Sequence, residues 1–295
     1  MKPAPFEYHR PTSLQEALGL LADAGPDARP LAGGQSLIPA MNFRLAQPAV
    51  LIDLNRIEEL SLLERTADGL QLGAMVRQSV AEKSSVVAEA APLLAETLPW
   101  IAHPQIRNRG TIGGSLAHAD PAAELPVIAT ALEARFRARS LDKERWIAAE
   151  DFFLGLFSTA LAPGELLVSV EIPTPAGRFG SSFTEFARRH GDYALAGAAA
   201  VIQLDARARC RICRLVLLNV ADTPVSATEA ASVLEGETLG RELLTEAAHV
   251  AARRIEPIGD VHASPAYRRH LAEVMARRAL QTAWQRALDR QANDG

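Results

Sequence analysis

Leu31-Ala32-Gly33-Gly34-Gln35-Ser36-Leu37-Ile38-Pro39 and Gly110-Thr111-Ile112-Gly113-Gly114-Ser115 are the two stretches whose reading decides the fold of this chain. Each sets a glycine pair behind an apolar or β-prone lead and ahead of a small hydroxyl residue, a pattern in which bare backbone offers N–H donors to phosphate oxygens. One such pair reads as a tight turn, whereas two of matching chemistry read as two halves of one site. Neither is a G-x-G-x-x-G fingerprint, which opens a helix directly after its strand, because Pro39 follows Ser36 closely and interrupts such a helix. No G-x-x-x-x-G-K-[ST] appears either. The pattern argues against a Rossmann domain and gives no support to an ATP-type P-loop.

The 295 residues suffice for two ordinary domains, and a 48% hydrophobic content fills a sizeable core. The net charge of −4, from 31 basic and 35 acidic residues, provides no basic field for nucleic acid or an anionic membrane. No apolar run reaches spanning length and the N-terminus has no signal-peptide core, so no transmembrane segment and a cytoplasmic location are expected. Cys210 and Cys213 form a C-x-x-C in a stretch that reads as a strand, where positions three apart face opposite ways. With no second pair to complete a zinc or iron–sulfur site, they read as structural thiols, and redox work here needs a bound cofactor.

Residues 13–24 carry a helix signature: Ser13 as N-cap, Glu16 three later, an apolar face, and Gly25 past the end. A strand enters the first glycine stretch, another covers 49–54, and Asp68-Gly69 centres a hairpin within 60–75. Residues 79–98 are helical in composition, 124–129 helix-like and 134–139 alternating as in a half-exposed strand. A strand over 166–172 stops at Pro173-Thr174-Pro175-Ala176-Gly177, where a domain boundary is expected. Beyond it, three strands (181–188, 193–204, 211–220) precede three helices (226–235, 238–254, 264–291), an α+β layer with a three-stranded antiparallel sheet. The last helix, rich in Arg and Ala, reads as a packed helix with a solvated charged side.

The segment from Trp100 to Pro126 holds more polar residues than packing requires. Thr111 and Ser115 can give hydroxyls to phosphate, Gly113 and Gly114 remove obstructing Cβ atoms, and Asp120 and Glu124 can accept from ribose or ribityl hydroxyls. His103 and His118 lack metal-ligand spacing and read as loop-orienting hydrogen bonders. Ser115-Leu116-Ala117-His118 has no G-x-S-x-G frame, which leaves a serine hydrolase unsupported.

The two glycine stretches, with Ile101-Ala102-His103-Pro104-Gln105-Ile106-Arg107-Asn108-Arg109 before the second, resemble the FAD-binding medium subunit of molybdenum hydroxylases, the carbon monoxide dehydrogenase and xanthine dehydrogenase family. The resemblance continues through Ala119-Asp120-Pro121-Ala122-Ala123-Glu124, Arg188-Arg189-His190-Gly191-Asp192-Tyr193-Ala194-Leu195-Ala196-Gly197 and Tyr267-Arg268-Arg269, and so spans nearly the whole chain. It implies a two-lobed FAD-binding domain of the vanillyl-alcohol-oxidase (PCMH) type at 1–175, with lobes of about 1–55 and 56–175. A smaller α+β domain of the CO dehydrogenase flavoprotein type would occupy 176–295.

By the family pattern, Ala32, Gly33, Gly34, Gln35, Ser36 and Leu37 line one side of the cofactor, and Thr111, Gly114, Ser115 and Asp120 the other. Glu124 would contact it, Ile101 and Leu167 pack against the flavin, and Tyr193 lie near the isoalloxazine face. Many relatives carry a lysine where this chain has Thr184-Glu185-Phe186, so no cationic flavin contact is expected there. The implied function is a noncovalent FAD relay between iron–sulfur clusters and a terminal acceptor. The molybdenum cofactor and [2Fe-2S] clusters would belong to a large and a small partner subunit, in a dimer of heterotrimers, with no metal, general acid or base in this chain. The competing readings are a stand-alone flavin oxidoreductase of the same fold, which needs acid–base residues over the flavin, and a noncatalytic assembly subunit.

Overall fold

The computed structural model describes residues 2–175 and 177–293; Ala176, within the expected boundary, lies outside them, as do Met1, Asp294 and Gly295. Strand β1 (Glu7–His9), helix α1 (Leu14–Ala24), strand β2 (Ala28–Leu31), helix α2 (Leu37–Asn42) and strand β3 (Val50–Asp53) form a first lobe on a parallel sheet of order β1-β3-β2. Ser13 Oγ accepts the Glu16 N–H at 3.2 Å and Gly25 closes the helix at φ +59°, as the sequence predicts. Glu16 departs from the capping box, because its carboxylate accepts the Thr12 N–H at 2.9 Å. The expectation that Pro39 interrupts a helix is corrected by α2. Pro39 sits in the first turn, where no intrahelical N–H bond is required.

The second lobe runs through β4 (Leu63–Arg65), β5 (Gly69–Gly73), α3 (Gln78–Glu82), α4 (Ser85–Ala90), α5 (Pro92–Thr97), α6 (Pro104–Arg107), α7 (Ile112–His118) and α8 (Glu124–Ala131). It continues with β6 (Arg135–Arg139), β7 (Glu144–Ala148), α9 (Ala149–Phe152), the hairpin β8 (Phe153–Gly155) and β9 (Ser158–Thr159), and β10 (Leu166–Pro173). Its main sheet is antiparallel, of order β4-β5-β10-β6-β7. The helical stretch expected at 79–98 is three helices and a 3-10 turn. Ser84 caps α4, accepting the Val87 N–H, and Pro92 starts α5 because it cannot continue a helix.

The C-terminal sheet has the order β11 (Arg178–Phe186), β12 (Ala196–Leu204), β13 (Cys210–Leu218), β14 (Val225–Ser226), followed by α10 (Thr228–Leu234), α11 (Arg241–Arg253) and α12 (Pro265–Asn293). The expected three strands are thus joined by a fourth of two residues, too short to leave a periodic signal. Both faces of this sheet are covered. Ala199, Val201, Val216 and Leu218 join the second lobe's core, while Ala198, Ala200, Ile202 and Leu217 pack under α10, α11 and α12. That placement accounts for the run of small apolar residues in β12, which shows no polar alternation.

Gly180 is where α12 comes closest to β11: a Cβ there would lie 2.0 Å from the Ala283 carbonyl oxygen and 2.5 Å from the Ala287 nitrogen. The C-x-x-C reading needs one correction. The register between β12 and β13 slips between Cys210 and Ile212, and this bulge at Arg211 turns both thiols into one core instead of opposite faces. Burial pushes the Cys210 thiol up to about 12 and the Cys213 thiol further. Two outcomes are expected. Gly180→Val destabilises the chain by about 3 kcal/mol in urea unfolding, because backbone rather than a flexible side chain must move. Neither cysteine reacts with a thiol reagent in the folded chain at pH near 8, while both react in urea.

Candidate functional site

The first wall is residues 32–37, between β2 and α2. The backbone N–H groups of Gly33, Gly34, Gln35, Ser36 and Leu37 meet no acceptor among the described residues. Gly34 takes φ +74°, which favours glycine, and the Gln35 side-chain Nε2 donates to the Gly33 carbonyl at 3.0 Å. Five successive amides that the protein itself does not accept form a donor set suited to an anion.

The second wall differs. The Ile112 and Gly113 amides donate to the Val76 and Ala74 carbonyls at 2.9 Å each, and the Ser115 amide to the Thr111 carbonyl at 3.2 Å. Thr111 Oγ1 accepts the Gly114 N–H at 3.0 Å as the N-cap of α7. This wall's amides are spent within the protein, Thr111 is buried with its hydroxyl oxygen on the Gly114 amide, and Ser115 is half-buried. Its glycines serve packing: a Cβ on Gly113 would lie 2.4 Å from the Ala74 Cβ, and one on Gly114 3.1 Å from the Ala32 Cβ. The two walls touch. A Cβ on Gly33 would sit 2.4 Å from the Arg109 carbonyl oxygen and 2.8 Å from the Gly110 Cα.

A polar bridge not singled out by the sequence reading holds them together. Asn55 Nδ2 donates to the Ala32 carbonyl at 2.9 Å, Arg77 donates to both the Asn55 side chain and the Arg109 carbonyl, and buried Asp53 accepts from Asn55 and from the Tyr8 hydroxyl. Burial alone would raise the Asp53 carboxyl, but the bonds from Tyr8 and Asn55 outweigh it and hold the group below its ordinary range. Leu31, Ala32, Gly33, Gly34, Gln35, Asn55 and Arg109 line the resulting cleft. The one signal available earlier was Asp53-Leu54-Asn55 just past a strand, a place where such side chains bind nearby backbone.

Helix α7 leads from this cleft over about 10 Å, at about 1.5 Å per residue, to the remaining candidates. His118 stacks on Phe157 with ring centroids 4.9 Å apart, and burial lowers its pKa against the pull of Asp120. Asp120 turns the chain by accepting the Ala122 N–H at 2.9 Å. Glu124 is buried, and desolvation pushes its carboxyl up to about 7. Glu185, on β11, is pushed up to about 8 by burial and by Glu124. Tyr193 is exposed, and its hydroxyl lies in the field of Asp120 and Glu124. The sequence-derived residues Asp120, Glu124 and Tyr193 are therefore brought together, while Ile101 and Leu167 are buried in the second lobe's core.

The segment bearing Tyr193 is pinned from two sides. A Cβ on Gly191 would lie 2.4 Å from the His103 ring, and the Trp100 and His190 rings stack at 6.0 Å. Arg268, from α12, donates to the Leu195 carbonyl at 2.7 Å and to Asp260 at 2.6 Å. Arg107, inside the second stretch's lead, pairs with both oxygens of Glu82 at 2.8 and 3.1 Å. Among the described residues no group of His, Cys, Asp and Glu is arranged to hold a metal ion, and no helix is long and apolar enough to cross a membrane.

Two lobes meeting at backbone amides, with a buried acid cluster further along, define a nucleotide-type cofactor cleft. Residues 4–175 match the family model described as the FAD binding domain in molybdopterin dehydrogenase, and residues 181–283 that of the CO dehydrogenase flavoprotein C-terminal domain. The chain belongs to this family of molybdopterin dehydrogenase FAD-binding subunits. It is 43% identical to the 6-hydroxypseudooxynicotine dehydrogenase complex subunit alpha of Paenarthrobacter nicotinovorans, covering 97% of each chain. It is 40% identical to the carbon monoxide dehydrogenase medium chain of Afipia carboxidovorans, over 97% of this chain and 99% of that one. Among solved structures, carbon monoxide dehydrogenase from Hydrogenophaga pseudoflava superposes with a TM-score of 0.94 at 40% identity, covering 97% and 99% of the two chains.

Gly33→Val is expected to destabilise the chain by about 2 kcal/mol, because the Arg109 backbone must withdraw, and Arg77→Ala by about 1–3 kcal/mol through the unpaired Asn55 and Arg109 groups. Urea unfolding measures both. An Arg77→Ala chain as stable as the wild type would show that the bridge does not hold the walls together.

Proposed function

We propose that this chain binds FAD noncovalently between the two glycine walls and relays electrons between partner iron–sulfur clusters and a terminal acceptor, as one subunit of a molybdenum hydroxylase. The observation that carries this reading is the run of five backbone amides at Gly33–Leu37 that meet no acceptor in the protein, on a stretch packed against the second glycine stretch. It is the donor set that a diphosphate requires. Ala32, Gly33, Gly34, Gln35, Ser36 and Leu37 would line one side of the diphosphate, with Thr111, Gly114 and Ser115 on the other. Asp120 and Glu124 would meet the cofactor beyond α7, and Ile101, Leu167 and Tyr193 would flank the flavin. FAD, when bound, supplies the redox chemistry. The residues of this chain bind and orient it, and Arg107 and Arg268 keep the surrounding loops in place.

Relatives named as a medium chain and as a complex subunit alpha support the multi-subunit reading. On that footing, the chain pairs with a large subunit holding the molybdenum cofactor and a small subunit holding [2Fe-2S] clusters, as a dimer of heterotrimers in the cytoplasm. Residues 1–175 act as the FAD-binding domain and 176–295 as the flavoprotein C-terminal domain.

The test is direct. Purified chain takes up FAD with a visible flavin spectrum, while Gly33→Val and Gly114→Val lose at least about tenfold in affinity through displaced walls. A chain with no flavin absorbance that takes up no added FAD overturns the reading. One that purifies alone, bearing flavin and oxidising a small molecule without partners, overturns the subunit assignment.

A further inference from the structure

Arg109 joins a fixed main chain to an uncommitted head. Its amide donates to the Ile106 carbonyl at 3.1 Å, and its carbonyl accepts from Arg77 and lies 2.4 Å from where a Cβ on Gly33 would sit. Its guanidinium, by contrast, is paired with no carboxylate, carbonyl or aromatic ring among the described residues. Arg109 also lines the cleft of about 340 Å³ together with Gly33, Gly34 and Gln35, whose amides meet no acceptor in the protein.

An exposed arginine without a partner is ordinary on a protein surface, where water satisfies it. The charges around Arg109 set it apart from that case. Its neighbour Arg77 is another guanidinium, fixed on the Asn55 side chain and on the Arg109 carbonyl. Burial first, and then the Arg109 charge, lower the Arg77 pKa below its ordinary value against the pull of Asp53. Asp53 is the one carboxylate among the described residues that line the cleft, and it is already engaged by Tyr8 and Asn55, with Arg10 at 3.7 Å. Two guanidiniums and a run of open N–H donors thus share one occupied carboxylate, a surplus of positive charge that an anion neutralises.

We propose that Arg109 is the cation of the anion site, its guanidinium closing on a diphosphate seated on the Gly33–Leu37 amides. The proposal rests on the reading of the cleft as an FAD site, and it gives that site a charged residue from the lead of the second glycine stretch, where only neutral groups were expected. A guanidinium presents paired N–H donors that match two phosphate oxygens, and each such bond is strengthened by charge. Because the Arg109 main chain is held from both sides, the head can close without moving either wall. An anion beside Arg77 and Arg109 also relieves the repulsion between them.

The experiment titrates FAD into the full chain at about 0.01 M and about 1 M ionic strength, for wild type, R109Q and R109K, and follows thermal unfolding of each FAD-free chain with and without ADP. At the lower salt R109Q is expected to lose about tenfold to a hundredfold in FAD affinity. Its affinity responds less to salt than that of the wild type, and R109K, which keeps the charge without the fork, falls between the two. FAD-free R109Q melts no lower than the wild type, because a like charge beside Arg77 is gone. R109Q that binds FAD within about twofold of the wild type, with a parallel salt response, overturns the proposal. So does R109Q that melts lower and loses affinity equally at both salts, which assigns Arg109 to structure alone. If wild type takes up no FAD, the cofactor reading fails, and ADP decides the anion site separately: a larger stabilisation of wild type than of R109Q supports it, and equal shifts overturn it.

Discussion

The backbone of Gly33 rests on the backbone of Arg109 and Gly110, and the architecture of the candidate site depends on that contact. It joins two lobes built on different sheets, one parallel and one antiparallel, which also share a core in which Leu18 and Ile52 pack with Leu166 and Val168 of β10. Backbone-to-backbone approach at this distance is available only where no Cβ intervenes. Bare backbone alone would leave polar groups without partners, however, and the bridge from Asp53 through Asn55 to Arg77 supplies them, ending on the Ala32 and Arg109 carbonyls on either side of the seam. A single buried carboxylate, fixed by Tyr8 and Asn55, thus orients an amide and through it a guanidinium.

The two walls divide the labour. In the second wall every amide from Ile112 to Ser115 is satisfied within the protein, which makes it a rigid support tied to the end of β5. In the first wall the amides are left open, and an exposed N–H run of this kind is stable only where water or an anion completes it. Rigid support beside open donors is the arrangement that preorganises an anion site, because the donors need not reorganise when the ligand arrives. At the far end of α7 the chemistry changes from neutral amides to acids, with Asp120, Glu124, Glu185 and Tyr193 converging from both domains.

The C-terminal sheet is buried on both faces, and this makes the two domains one mechanical body. Residues of β12 alternate between the second lobe's core and the core beneath α12, so displacing either layer exposes small apolar side chains to water. Tyr193 and Glu185 sit on that shared sheet or at its edge, and their position relative to Glu124 is set by packing between domains. His103 under Gly191 and Arg268 on the Leu195 carbonyl hold the same segment from opposite sides.

Local patterns were legible without coordinates: the Ser13 cap and Gly25 stop, the Asp68-Gly69 hairpin, the alternation in β6, and the glycine stretches with their hydroxyl followers. These are short-range effects of capping, turn geometry and period, which reside in neighbouring residues. The family resemblance, carried by the same stretches, indicated the two-domain FAD-subunit class. Tertiary structure decided the rest. Only the fold could show that the second wall's glycines face Ala74 and Ala32, that a bulge at Arg211 turns both cysteines inward, or that Pro39 sits in the first turn of a helix instead of interrupting one. Asn55 and Arg77 lie 22 residues apart and acquire meaning only when the fold brings them into hydrogen-bond contact. Desolvation and long-range proximity are properties of the packed chain, and no pattern of adjacent residues encodes them.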